Sequence, residues 1–442
     1  MTAAVDVDAL FPAHLAAMQQ RATRALAAAG RSALVLAAGL PQYRYADDQP
    51  YPYVASAQFR AWAPVGNAPG SFIVFAPGSR PMLLLHQPED YWHQPPALPT
   101  GAWLAEFEVR TIREPLEARA AVPPDAAFVG EPFPGCADWG FAALNPAPLL
   151  NCLDYARALK TPYEIACLQA ASAHGARAHR AAAGAFAAGA CEYEIHLAYL
   201  RAAGHLESEL PYPNIVALNE AGAVLHYGAL GRARPAVRRS LLIDAGAQFR
   251  GYACDITRTH AAARGAFADL VAGMEQLQLA LCARVVPGVD YADIHLEAHR
   301  LIGALLADAR VVSCSGEAAL EQGLTSVFFP HGVGHLLGLN VHDVGGHMAT
   351  EHGGTLAQPA GHRYLRLTRR LEAGMVVTIE PGLYFIELLL EQARRDGRSR
   401  DIDWRTVEAL RPCGGIRIED DVVATPDGAD NLTRRAFAAL DA

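Results

Sequence analysis

Apolar positions in this chain follow two rhythms, and each change of rhythm marks an element. From residue 9 to residue 29 they recur at helical spacing and stop at Gly30, which predicts a helix closed by a glycine. The next run, Ala33-Leu-Val-Leu-Ala37, is apolar without interruption. It predicts a buried strand, as do Phe72-Ile-Val-Phe75 and Met82-Leu-Leu-Leu85, each bounded by Gly and Pro. Residues 43 to 62 carry Tyr, Pro, Trp and the pair Asp47-Asp48 with neither period, which predicts a long loop. These elements predict an N-terminal α/β domain.

Between residues 150 and 160 the texture changes. Thr161-Pro162-Tyr163-Glu164 has the pattern of a capping box with proline at the first helical position, opening a long Ala-rich helix. A second helix is expected over residues 192–203. The domain boundary is set at residue 158, giving domains 1–158 and 159–442. Beyond it, residues 241–244 and 252–259 flank Ala-Gly-Ala and predict antiparallel strands, with Asp255 in mid-strand. Residues 266–285 and 291–307 predict helices, and residues 375–380 and 415–423 predict strands.

Length and composition narrow the class. A chain of 442 residues is long for one core, and 52% apolar residues exclude general disorder. No uninterrupted apolar run reaches the roughly 18 residues of a membrane span. A formal charge of −9 without a basic block argues against a nucleic-acid partner. The start, MTAAVDVDALF, carries acids where an export signal carries Lys or Arg, so the cytoplasm is expected. None of the eight cysteines forms a C-x-x-C pair, and they read as reduced, buried, small apolar residues.

Five residues then stand out: Asp244, Asp255, His335, Glu380 and Glu419. If they converge, four carboxylates and one imidazole make a hard, oxygen-rich donor set, better matched to Mn²⁺ than to structural zinc. Asp244 closes the apolar run Ser240-Leu-Leu-Ile-Asp244. Neighbouring strands would bring Asp255 within about 5 Å on the same face. The plain alternative is two acids capping strand ends. In His331-Gly-Val-Gly-His335-Leu-Leu-Gly-Leu-Asn-Val-His342-Asp343, three histidines are interleaved with glycines. The H-x-x-x-H spacing of a zincin helix is present, but the Glu that should follow the first His is not. Gly332 and Gly334 also disfavour helix. Glu380 ends Met375-Val-Val-Thr-Ile-Glu380 before Pro381-Gly382. In Gly414-Gly-Ile-Arg417-Ile-Glu419-Asp420 the alternation sets Arg417 beside Glu419, as a carboxylate orienter or as a solvated ion pair.

These motifs resemble the pita-bread metallopeptidases, the group of methionine aminopeptidases, aminopeptidase P and Xaa-Pro dipeptidases (prolidases). The resemblance runs essentially end to end. Asn214-Ile-Val-Ala-Leu-Asn219, Ala223-Val-Leu-His226-Tyr227, Tyr364-Leu-Arg366-Leu-Thr-Arg369 and Asp90-Tyr-Trp-His93 are similar to the bacterial Xaa-Pro dipeptidases. That subgroup is also similar to organophosphorus acid anhydrolases. The implied fold is α/β (α+β), a C-terminal pita-bread domain behind a smaller N-terminal α/β domain.

The resemblance implies two Mn²⁺ per subunit, with Co²⁺ or Zn²⁺ as substitutes. Asp244 would chelate one ion, Asp255 and Glu419 would bridge both, and His335 and Glu380 would complete the other shell. A hydroxide between the ions would attack the scissile carbonyl, with Glu380 as proton shuttle. His226 and His342 would contact substrate and the tetrahedral intermediate, supported by His331 and Arg417. Arg366 would hold the dipeptide's C-terminal carboxylate, and Tyr212, Val341 and His342 would line the substrate pocket. The implied activity is hydrolysis of Xaa-Pro dipeptides, with organophosphorus compounds as side substrates; aminopeptidase P is the alternative. A homodimer is implied, in which Asp47, Asp48 and Trp92 are candidates to cap the partner's site.

Overall fold

The computed structural model describes residues 6–441, which fall into two compact units. One takes the chain through Cys167 together with Arg250–Tyr252 and Met348–Thr355. The other takes Leu168–Phe249, Ala253–His347 and the chain from Leu356 onward. The first five residues of the acidic N-terminal stretch lie outside the described residues.

The first unit is a six-stranded mixed sheet. Its order runs Glu108–Ile112, Met82–His86, Phe72–Phe75, Ala33–Ala37, Ala126–Val129, Ala143–Leu144. Ala33–Ala37 lies antiparallel to Phe72–Phe75 and parallel to Ala126–Val129. All five of its residues are buried, which is why the sequence there is apolar without alternation. The helix Phe11–Ala29 buries Phe11, Leu15, Met18, Ala22 and Leu26, and Gly30 ends it in the left-handed region at φ 63°. The predicted loop holds one short helix, Ala57–Arg60, started by Ser56, whose side chain accepts from the Phe59 amide. Tyr43, Tyr45 and Tyr51 in that stretch are exposed. The expected capping box is present. The Thr161 amide donates to Glu164 Oε2 at 2.8 Å and the Glu164 amide to Thr161 Oγ1 at 3.3 Å. The helix it opens runs over Pro162–Ala187, followed by Glu192–Ala203.

In the second unit, Ser240–Asp244 is the middle strand of an antiparallel trio with Ile215–Leu218 and Thr257–Ala261. Leu241 and Ile243 pack among Ala178, Ala182, Phe186, Ile195 and Tyr199 from the two helices. Leu242 packs with Ala217 and Tyr384 on the opposite face. Alternation therefore sends Asp244 to the Tyr384 side. A second, longer ribbon pairs Val376–Ile379 with Asp420–Thr425 and Gly382–Tyr384 with Gly415–Arg417. The expected helices appear as Ala266–Cys282 and Tyr291–Asp308.

Two expectations are corrected. Asp255 does not sit in mid-strand: the Ala245 amide bonds Ile256 and the Cys254 amide bonds Ala247, leaving residues 254–256 irregular. The Asp255 amide instead donates to the Asp421 carboxylate at 3.2 Å. Nor is 415–423 one strand. Pro381 has no N–H to continue the ladder, so at residues 418–419 only the Ile418 amide reaches across, to the Pro381 carbonyl at 3.4 Å. All eight cysteines are free, six of them buried. Among the described residues, no helix is long and apolar enough to cross a membrane.

Candidate metal centre

Both ladder interruptions release carboxylates toward one place. Ser240–Asp244 and the irregular 254–256 segment supply Asp244 and Asp255, and the break in the long ribbon supplies Glu380 and Glu419. Glu419 closes the gap by pairing with Thr257: its amide donates to the Thr257 carbonyl at 3.0 Å. The Thr257 hydroxyl donates to Glu419 Oε2 at 2.6 Å. Thr257 itself lies opposite Asp244 in the ladder.

His335 arrives on residues 333–337, which run along the outer side of Val376–Ile379. The His335 amide donates to Thr378 Oγ1 at 3.1 Å, and the Thr378 amide to the His335 carbonyl at 3.0 Å. The approach demands glycine at 334. Its φ is +151°, and a Cβ there would stand 2.2 Å from the Thr378 carbonyl and 2.3 Å from the Tyr291 hydroxyl. The stretch is irregular, which rules out the zincin helix. His335 Nδ1 donates to the Leu336 carbonyl at 3.0 Å, so Nε2 carries the free lone pair. That nitrogen lies 3.5 Å from Asp255 Oδ2 and 3.6 Å from Glu380 Oε1. One donor atom each from Asp255, His335 and Glu419 falls within 4.8 Å of the others.

The electrostatics are those of a site short of positive charge. Burial, then neighbouring carboxylates, push Glu419 well above the carboxylate range, and burial pushes Glu380 up to about 7. Asp244 is raised by burial against the pull of Arg417. Burial also works against a charged Asp255, but His335 and the Tyr212 hydroxyl outweigh it and lower its pKa. His335 is raised despite burial, by its hydrogen bond to Asp255 and the charge of Glu380. The acids that would hold a cation thus also draw His335 toward its charged form. Two buried acceptors, Asp244 Oδ1 and Glu419 Oε1, have no hydrogen-bond partner among the described residues. Orphaned carboxylate oxygens in a buried acidic cluster are what divalent ions satisfy. The donor set therefore fits divalent metal.

Arg417 secures the rear of the cluster, buried rather than solvated. Its Nη2 donates to Asp244 Oδ2 at 2.7 Å, its Nε to Thr257 Oγ1 at 3.2 Å, and its Nη1 to the Tyr384 hydroxyl at 2.8 Å. That hydroxyl lies 2.9 Å from His331 Nε2, while His331 Nδ1 donates to the Gly332 carbonyl. Burial holds His331 neutral, with its pKa down at about 3, so Tyr384 is the donor to it. Tyr212 donates to Asp255 Oδ1 at 2.5 Å.

The remaining predicted residues lie farther out. His342 is exposed, yet its ring centroid is 4.4 Å from that of His335. Burial, His335 and Arg366 lower its pKa to about 4. His226 and Arg366 are exposed and act on His342 through charge, and Val341 is half-buried. Sequence reading missed Thr257, Thr378, Tyr384 and Asp421. None carries a motif signature; each is found only by following a hydrogen bond from a candidate ligand.

Comparison with known proteins shows the family and the fold. The model of metallopeptidase family M24 matches residues 166–426, and that of the Xaa-Pro dipeptidase N-terminal domain matches residues 9–155. A Xaa-Pro dipeptidase of Stenotrophomonas maltophilia (strain K279a) is 50% identical over 440 residues, 99% of each chain. One from Xanthomonas euvesicatoria pv. vesicatoria is 47% identical over 437 residues, 98% of this chain and 99% of its own. Among solved structures, Escherichia coli aminopeptidase P with the inhibitor Pro-Leu superposes with a TM-score of 0.72 at 22% identity. It covers 97% of this chain and 99% of that one, a likeness of fold. The chain belongs to metallopeptidase family M24, in the group of the bacterial Xaa-Pro dipeptidases, and is a divalent-metal enzyme of peptide hydrolysis.

Proposed function

We propose that this chain hydrolyses Xaa-Pro dipeptides at a centre of two Mn²⁺ ions held by Asp244, Asp255, His335, Glu380 and Glu419. The observation that carries the reading is the pair of orphaned buried acceptors, Asp244 Oδ1 and Glu419 Oε1, beside an imidazole whose Nε2 is free. Bound ions would activate water for attack on the scissile carbonyl and neutralise the oxyanion that forms. Co²⁺ or Zn²⁺ would substitute.

The chain's own groups do the rest. Glu380, which protonates near neutrality when burial is uncompensated, holds and returns the proton taken from water. His342 and His226 face the carbonyl oxygen as donors. Arg417, His331 and Tyr384 keep Asp244 in place. Arg366 pairs with the C-terminal carboxylate of the dipeptide, and a longer peptide would present an amide there instead. Tyr212, Val341 and His342 surround the proline ring.

The division into an N-terminal domain, 1–158, and a catalytic domain, 159–442, belongs to this reading. So does a cytoplasmic homodimer in which Asp47, Asp48 and Trp92 approach the partner's site. Asp47 and Asp48 are exposed, and Trp92 is 75% exposed. Phosphotriesters would be side substrates of the same centre.

The rival is aminopeptidase P activity on longer peptides. Metal-stripped protein restored separately with Mn²⁺, Co²⁺ or Zn²⁺ is assayed on Ala-Pro, Leu-Pro and Ala-Pro-Ala. Turnover of the dipeptides alone supports the proposal. Comparable cleavage of Ala-Pro-Ala would replace it with the rival.

A further inference from the structure

A second cluster of metal-binding side chains lies outside the carboxylate centre. His295 and His299 are four residues apart on the helix Tyr291–Asp308, hence on one face. His362 meets them from the segment that leads to Arg366. His295 Nε2 lies 2.9 Å from His362 Nδ1, and one ring nitrogen from each of the three falls within 4.8 Å of the others. Ring centroids are 4.8, 4.7 and 4.6 Å apart. His295 and His299 are buried, at 1% and 2% exposure, while His362 is half-buried and opens the cluster to solvent.

His295 Nε2 and His362 Nδ1 share a hydrogen bond, which a cation seated between the rings would replace. Thr325 Oγ1 lies 3.0 Å from His299 Nδ1 and orients that ring. His295 Nδ1 is buried without a hydrogen-bond partner among the described residues. Burial and mutual repulsion hold His295 at about 2 and His299 at about 3, so these imidazoles are neutral, as ligands must be. The donor set is all nitrogen, unlike the carboxylate centre, and the Phe329 ring lies between His299, tilted against it at 4.9 Å, and His331, edge-on to it at 4.8 Å.

We propose that His295, His299 and His362 form a separate zinc site with an open fourth position for water. Three neutral imidazoles suit Zn²⁺ at about 2.0–2.1 Å, and tetrahedral angles would set the nitrogens roughly 3.3 Å apart. The closest pair, 2.9 Å apart, would open by a few tenths of an ångström, while pairs as far as 4.8 Å apart would draw in. An occupied site would tie the 362–366 segment to the helix. This inference is independent of the reading of the carboxylate centre.

Two measurements test it. Zinc bound per chain is counted by equilibrium dialysis of metal-stripped wild type and of His362→Asn, whose fold is checked by thermal unfolding. The wild type should retain one equivalent more than the variant. Crystals of the Mn²⁺-loaded wild type, soaked in zinc and measured on both sides of the zinc edge, should show a peak bounded by the three rings. Equal zinc uptake by both chains, or no peak between the rings, overturns the site.

Discussion

Glu380 and Glu419 occupy the same break in one antiparallel ribbon, whose pairing stops at Ile379–Asp420 and resumes at Gly382–Arg417. The break costs ladder hydrogen bonds and yields two carboxylates at one level, beside the strands Thr257–Ala261 and Ser240–Asp244, which bring Thr257 and Asp244. A proline that cannot donate is the local cause, and the acidic cluster is the global consequence.

Arg417 is buried against Asp244 from behind, a guanidinium paired with its carboxylate. Replacing it by methionine leaves Asp244 without its ion pair, and losing one partner of a buried pair costs about 3–5 kcal/mol. Arg417→Met should therefore unfold at lower temperature when stripped of metal and regain more than wild type on adding Mn²⁺. Identical metal-induced gains in the two proteins would contradict this role.

Gly334→Ala should be severe although it adds one methyl group. The Cβ would overlap the Thr378 carbonyl, and the φ of +151° is hostile to any side chain. Loss of about 3 kcal/mol or more is expected. Chemical denaturation measures it, and a variant as stable as wild type would show that residues 333–337 approach the strand differently.

The pH dependence has a definite sign. Glu380 is raised from 4.5 to about 7, so the metal-free folded state holds that proton more tightly than the unfolded chain does. The stabilisation is full below the unfolded value of 4.5 and is lost as pH rises through about 7. Raised Asp244, Glu419 and His335 act in the same direction; lowered Asp255 opposes them. Ions compete with these protons. The gain in unfolding temperature from Mn²⁺ should thus be larger at pH 8 than at pH 5, with protons released on binding. A gain that shrinks over that interval would contradict the assignment.

Arg366 offers a cleaner kinetic test. Its side chain is exposed, so Arg366→Ala should leave folding and metal content unchanged. A charge-assisted pair to the substrate carboxylate is worth about 1.5–3 kcal/mol, so KM for Leu-Pro should rise roughly tenfold to a hundredfold. Unchanged dipeptide kinetics would remove the carboxylate clamp from the account.

Much of this molecule was legible from spacing alone. Continuous apolar runs marked Ala33–Ala37, Phe72–Phe75 and Met82–His86 because the residues on both faces of these strands are mostly buried, while the exposed edge strand Glu108–Ile112 carried no such run. Thr161 and Glu164 announced a helix start because capping is local chemistry. The misread elements all involve partners distant in sequence. Asp255 left its strand because Asp421 takes its amide, a bond across 166 positions. The 415–423 strand broke because of Pro381 opposite it, and Arg417, read as a possible solvated residue, proved buried. The zinc-type trio was invisible for the same reason: His295 and His299 are an ordinary helical pair until His362 joins them.

The account rests on two ions held side by side by five side chains. The most direct measurement is electron paramagnetic resonance of metal-stripped protein given two equivalents of Mn²⁺. The prediction is an exchange-coupled spectrum from ions about 3.5–4 Å apart, lost in Glu419→Ala. Two isolated Mn²⁺ signals in protein that turns over Leu-Pro would contradict it.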